Sequence, residues 1–251
     1  MDQVLHMTVE SRPRVRLLGG FTLRNGRICG EPVADQLPLA LQRLVAYLCL
    51  AGRPARTAVA GRLWPDVPEE KAHASLRSAL WRLRRASPEL VDVRGDALGL
   101  AAGVRVDVRD LHTWADRVGD PRAGTDRLML PDMALLGDLL PGWYDDWVLP
   151  ERDRLQQLRL HGLETLAARL GDAGRPGEAL QAAHLAIRSE PLRESAHRTV
   201  VRVHLAEGNV VEALRAYARF RDLLHAELGV PPTEQMTRLV QSITGLRRAA
   251  S

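Results

Sequence analysis
The chain has 251 residues, 45% hydrophobic and 26% charged, with a formal net charge of +4; that is length enough for two domains and apolar content enough for real cores. No run of about 18 apolar residues occurs, which excludes a membrane-spanning helix, and the first 16 residues lack the apolar centre of a secretory signal. The basic residues are 34 Arg and one Lys, Lys71, a skew typical of a GC-rich bacterial genome, and the two cysteines, Cys29 and Cys49, have no metal-ligand spacing and fit a reducing cytoplasm.

In chain order, residues 15–18 and 21–23 read as short strands, with Asn25-Gly26 as a turn signal. Residues 39–50 carry Leu41, Leu44, Val45 and Leu48 at helical spacing, and Cys49 falls in the same apolar run. A short helix is expected over 57–63, capped by Thr57 and ended by Trp64-Pro65. Pro68-Glu69-Glu70 opens a third helix that runs to Ala86, with its acids at the positive end of the dipole. Residues 90–93 and 97–100 alternate around Arg94-Gly95-Asp96 as a hairpin. Asp107 is placed to cap a helix over 108–118, residues 119–132 read as a loop, and a long helix is expected from about Glu151 with Leu155, Leu158, Leu163, Leu166 and Leu170 as its band. Gly174-Arg175-Pro176-Gly177-Glu178-Ala179-Leu180 recurs as Gly208-Asn209-Val210-Val211-Glu212-Ala213-Leu214. The offset of 34 residues is the tetratricopeptide period, in which helix pairs bury their faces by stacking on neighbours.

Charge is unevenly spread. Through Gly103 there are 15 basic and 10 acidic residues; from Val104 onward there are 20 and 21. Between Lys71 and Arg85 lie five cations and no acid, whereas a merely solvated helix face mixes signs through i,i+4 pairs. On a helical projection Ala72, Leu76, Ala79, Leu80 and Leu83 share one side, and Lys71, Ala74, Ser75, Ser78, Arg82 and Arg85 lie broadly opposite. Small residues at 74, 75 and 78 permit close approach to a groove. Arg82 and Arg85, one turn apart, are candidates for base edges or phosphates, Arg77 and Arg84 for the phosphate backbone, and Arg94 for a minor groove. Trp81, on the boundary, is expected to pack within the protein rather than stack on a base.

Strands, three helices and a hairpin make a winged helix-turn-helix. The expected fold is therefore mainly α: this reader with its small β-sheet and wing over residues 1–106, followed by an all-α tetratricopeptide-like domain over 107–251. Repeats of this kind commonly present a protein-binding surface.

Catalytic signatures are missing. There is no GxxxxGK[ST] loop, HExxH or CxxC pair, and the eight histidines form no HxxxH pair. Asp145 and Asp146, adjacent on a helix start, point about 100° apart and do not suit a shared acid–base site. No enzyme activity, cofactor or metal is expected.

Leu39-Ala40-Leu41-Gln42-Arg43-Leu44-Val45-Ala46-Tyr47-Leu48, Arg62-Leu63-Trp64-Pro65-Asp66, Ser75 through Arg85, Leu140-Pro141-Gly142-Trp143-Tyr144-Asp145-Asp146-Trp147 and the Glu-Ala-Leu repeats together resemble the Streptomyces antibiotic regulatory protein family. The resemblance implies an OmpR-like DNA-binding domain followed by a bacterial transcriptional activation domain. It implies binding to direct repeats near a −35 element, and recruitment of RNA polymerase through its sigma factor, with the alpha subunit as a further contact. Control of antibiotic and other secondary-metabolite genes is implied as well. By position, Ser75, Ser78, Arg82 and Arg85 match the family's base-facing side, Arg77 and Arg84 its phosphate-contacting flank, and Arg94 its wing. The chain ends soon after the second repeat, so no nucleotide-binding switch is expected, nor is control through a receiver domain ahead of the reader. A cytoplasmic protein, at the nucleoid when bound, acting as a homodimer or as side-by-side protomers on promoter DNA, is the resulting expectation. Its rivals are a repeat-based protein adapter with a basic front, and a winged-helix repressor whose helical rear binds a small molecule.

Overall fold
The computed structural model of the chain describes residues 12–24 and 37–249. The expected turn at Asn25-Gly26 and the thiol of Cys29 lie outside the described residues. In chain order the elements are β1 (Arg14–Arg16), β2 (Thr22–Arg24), α1 (Leu39–Ala51), α2 (Arg56–Leu63), α3 (Glu69–Ala86), β3 (Val91–Arg94), β4 (Ala97–Leu100), β5 (Arg105–Val106), α4 (Asp107–Gly119), α5 (Val148–Asp172), α6 (Pro176–Ser189), α7 (Glu194–Ala206), α8 (Val210–Leu228) and α9 (Glu234–Ala249). Internal contacts divide the chain into two compact units. One comprises the described residues up to His112 together with Asp132–Leu155; the other comprises Thr113–Pro131 and the described residues from Gln156. Residues 107–112 and 132–155, which the sequence groups with the rear, fold with the front.

In the first unit β1 pairs antiparallel with β2, Val15 opposite Leu23, and parallel with β5, Val15 opposite Val106. The inward residues of these strands and the stripe Leu41, Leu44, Val45 and Leu48 of α1 are buried together with Val59, Leu63, Leu76 and Leu83. Cys49 is buried too, and burial pushes its thiol pKa up, which keeps it unreactive. β3 and β4 form an antiparallel hairpin, Val91 opposite Leu100 and Arg94 opposite Ala97. Its two-residue turn contains Gly95 at φ +59°, the left-handed conformation such turns require.

Three local expectations fail for identifiable reasons. α2 begins at Arg56 with Ala55 as its N-cap and no side-chain cap, not with Thr57. The hairpin replaces the hydroxyl: Arg56 N–H donates to Asp96 O at 3.0 Å, and Ala55 bridges Ala97. α5 begins at Val148 rather than near Glu151, because Pro150 sits in its first turn, where proline is tolerated. Leu158 is only half-buried, and Leu160 is the residue that is fully buried.

Asp107 does more than cap α4. Its carboxylate accepts from Val108 N–H at 2.8 Å and also from Leu17 N–H (2.9 and 3.0 Å) and Leu18 N–H (2.8 Å), ninety residues earlier in the chain. All four bonds are buried, so this one side chain fixes the end of β1 to the start of α4. The 138–147 stretch continues the same side: Gly19 N–H donates to Asp138 O and Leu140 N–H to Leu17 O. Phe21, Trp143, Trp147 and Tyr47 follow one another as ring neighbours, 5.4–6.5 Å between centroids. Asp145, expected to decorate a helix start, pairs with Arg43 of α1.

The second unit is all-helical, and its repeat is visible bond by bond. Arg175 N–H donates to Leu170 O and Gly174 N–H to Gly171 O; thirty-four residues on, Asn209 N–H donates to His204 O and Gly208 N–H to Leu205 O. Gly174 and Gly208 both take positive φ, +71° and +75°. Ala179, Ala182 and Ala186 are buried, as are their counterparts Ala213, Ala216 and Phe220. Trp114 lies against Gly162, where a Cβ would come within 2.5 Å of the ring. The stretch expected as a loop over 119–132 is held by Arg169, which donates to the carbonyls of Val118, Asp120 and Ala123.

Arg193 spans both oxygens of Glu164 at 2.7 and 3.0 Å, and Ser195 donates to the same carboxylate. Burial pushes the Glu164 pKa upward, but these bonds and the Arg193 and His161 charges outweigh it and hold the carboxyl below its ordinary value. A carboxylate whose folded pKa is depressed contributes stability at neutral pH that is lost as pH falls through the folded value. Glu164→Gln is therefore expected to lower stability at pH 7 by about 1–3 kcal/mol. Denaturant titrations should show that gap closing below the ordinary carboxylate range; a gap constant with pH would refute the ion-pair account.

Candidate nucleic-acid interface
α3 is positioned by its own stripe. Ala72, Leu76, Ala79, Leu80 and Leu83 are buried, and α2 packs against the helix. At about 100° per residue, the direction opposite this stripe runs through Ala74, Ser78, Trp81 and Arg85, all within about 40° of it. Those four are exposed, as are Lys71, Arg77, Arg82 and Arg84; Ser75 is half-buried. The acids of the helix, Glu69 and Glu70, are confined to its first turn, where Glu69 meets His73 at 3.6 Å. Lys71, Arg77, Arg82 and Arg84 make no ion pair with a described residue.

The structure therefore brings seven of the eight sequence-predicted residues onto one helix, with the five cations among them exposed. Arg94 lies apart, at the hairpin. It is exposed, but its Nε donates to Asp92 Oδ2 at 2.9 Å, and Arg53 Nη2 donates to the same oxygen at 2.8 Å. The Arg53 hydrogen bond, with the Arg94 charge and bond beside it, holds the Asp92 carboxyl below its usual pKa even though it is half-exposed. Asp92 thus offsets one of the two positive charges, Arg53 and Arg94, that meet at it. The sequence gives no sign of the Arg53–Asp92 pair, because Arg53 sits in the connection between α1 and α2 with no periodicity to orient it.

Trp81 is the larger correction. Expected to pack inside, it is 60% exposed, and the guanidinium of Arg85 lies 5.0 Å from its ring centroid, at cation–π distance. The projection places it at the middle of the solvent face, about 160° from the buried stripe. Its angle on the helix, rather than the general preference of tryptophan for interiors, sets its exposure.

Residues 133–244 match the model of the bacterial transcriptional activator domain. Over 227 residues, 85% of this chain, the sequence is 32% identical to regulatory protein AfsR of Streptomyces coelicolor; over 221 residues it is 31% identical to AfsR of Streptomyces griseus. Over most of its length the chain is similar to the Streptomyces antibiotic regulatory protein family. It spans less than a quarter of the length of these curated relatives, 23% and 22%. Among solved structures it is similar to Mycobacterium tuberculosis EmbR, in a complex of that protein with a low-affinity phosphopeptide. The TM-score is 0.70 at 21% identity, with 94% of this chain and 65% of that one covered. That likeness is one of fold: a winged helix followed by an all-helical, tetratricopeptide-like domain.

Proposed function
We propose that this chain is a sequence-specific, DNA-binding transcription activator, with residues 1–106 as the reader and 107–251 as the activating domain. The observation that carries the reading is the exposed face of α3: five cations from Lys71 to Arg85, with no carboxylate among them, on the second helix of a helix-turn-helix. α3 docks in a major groove, with Ser75, Ser78, Arg82 and Arg85 toward base edges and Lys71, Arg77 and Arg84 toward phosphates. The hairpin meets the neighbouring backbone, and Arg94 enters the minor groove only by loosening its bond to Asp92. One reader of this size makes a modest interface, so two or more protomers side by side on direct repeats near a −35 element are proposed. The helical domain then contacts RNA polymerase, through the sigma factor or the alpha subunit, at genes of secondary metabolism. The similarity to AfsR and the match to the bacterial transcriptional activator domain support this reading, and no cofactor or catalytic step enters it.

The test is a gel shift with promoter fragments from the source genome, followed by transcription in vitro with the matching polymerase holoenzyme. Retarded, salt-sensitive but sequence-selective complexes and increased transcript support the reading. Weak, sequence-independent binding points to a protein adapter, and reduced transcript to a repressor; either result overturns it.

A further inference from the structure
A single exposed hydrophobic residue is ordinary on a protein surface. Trp81 is not ordinary in its setting. It stands at the centre of the solvent face of α3, with Ser78 one turn before it, Arg85 one turn after it, and Arg77, Arg82 and Arg84 around it. If α3 enters a groove by this face, as the proposed function requires, the indole is necessarily inside the interface. One of its faces already carries the Arg85 guanidinium. Stacking on a base is closed to it in a paired duplex, since the base would have to leave the stack. What remains is its apolar rim, and in the major groove the one apolar group a base pair presents is the C5-methyl of thymine.

We infer that Trp81 is a specificity-determining residue, packing its indole rim on a thymine methyl in the major groove while its ring face holds the Arg85 guanidinium toward the adjacent base edge. The two tasks are linked. The cation–π contact restricts an otherwise flexible arginine to one direction before DNA arrives, so less rotamer freedom is lost on binding. The flanking cations, with no acid between Lys71 and Arg85, favour a polyanion over an acid-poor protein surface as the partner of this indole.

The inference rests on the DNA-reading assignment, and its test separates the two. The probe is the duplex enriched by the full chain from a randomised pool, with each thymine replaced singly by uracil, which lacks only the methyl. For the wild-type chain, one replacement is expected to weaken binding about fourfold, the worth of one buried methyl. Trp81→Ala is expected to weaken binding to the thymine duplex roughly tenfold and to be indifferent to that same replacement. Because the side chain is exposed, its melting temperature should match wild type, and Trp81→Phe, which keeps an aromatic rim, should retain the methyl dependence. An enriched motif without a sensitive thymine, a Trp81→Ala variant that binds as wild type does, or methyl sensitivity undiminished in that variant overturns the inference and leaves the reader assignment standing. Failure to enrich any duplex overturns both.

Discussion

Replacing Arg82 and Arg85 together by alanine is expected to cost about 2–6 kcal/mol of affinity for an enriched duplex, a loss of roughly thirtyfold or more, while the protein melts as wild type does. Each arginine is assigned a base edge, and a good bidentate contact is worth about 1–3 kcal/mol. Both are exposed, and surface substitutions away from packed features move stability by only about 0.5 kcal/mol. Discrimination should relax at the positions they read. Arg84→Ala gives the contrast: a phosphate contact carries no sequence information, so affinity should fall alike for enriched and random duplexes, and the log–log salt slope should drop by about one. Fluorescence anisotropy over a salt series measures both. Equal losses on enriched and random DNA for the double variant would remove Arg82 and Arg85 from the base-reading set.

The second large effect is on folding. Asp107→Ala is expected to destabilise the first unit by about 3–5 kcal/mol, because the N–H groups of Leu17, Leu18 and Val108 lose their acceptor where water cannot replace it. The carboxylate holds β1 to the start of α4, so the loss is one of a tether between distant chain segments as well as of a helix cap. Asp107→Asn keeps the shape and one acceptor oxygen and should cost less than alanine. Urea titrations followed by far-UV circular dichroism give the comparison; a cost under about 1 kcal/mol for alanine would mean that the clasp is dispensable.

Arg82 and Arg85 on one side and Asp107 on the other mark what the sequence made legible and what it did not. Periodicity is a property of neighbours along the chain, so the stripe Leu41, Leu44, Val45 and Leu48, the limits of α3 and the 34-residue repeat could all be read directly. So could the cationic face, since helical geometry alone places Arg82 and Arg85 away from Leu76 and Leu83. Asp107 showed its local role as a cap, but its bonds to Leu17 and Leu18 depend on segments that only the fold brings together. The same holds for Arg43 with Asp145 and for the ring series from Phe21 to Tyr47, which draw residues 138–147 to the front of the molecule. At the start of α2 a hairpin carbonyl takes the place of the Thr57 hydroxyl, and Trp81 follows its angle on the helix rather than the general preference of tryptophan for interiors.

The central claim is that the carboxylate-free face of α3 meets the duplex, and a structure of the full chain on its enriched duplex tests it most directly. α3 is expected to lie in the major groove, with Arg82 and Arg85 within hydrogen-bond distance of base edges and Arg77 and Arg84 at phosphates. A complex in which that face is turned to solvent or covered by protein, with DNA held elsewhere, would contradict it.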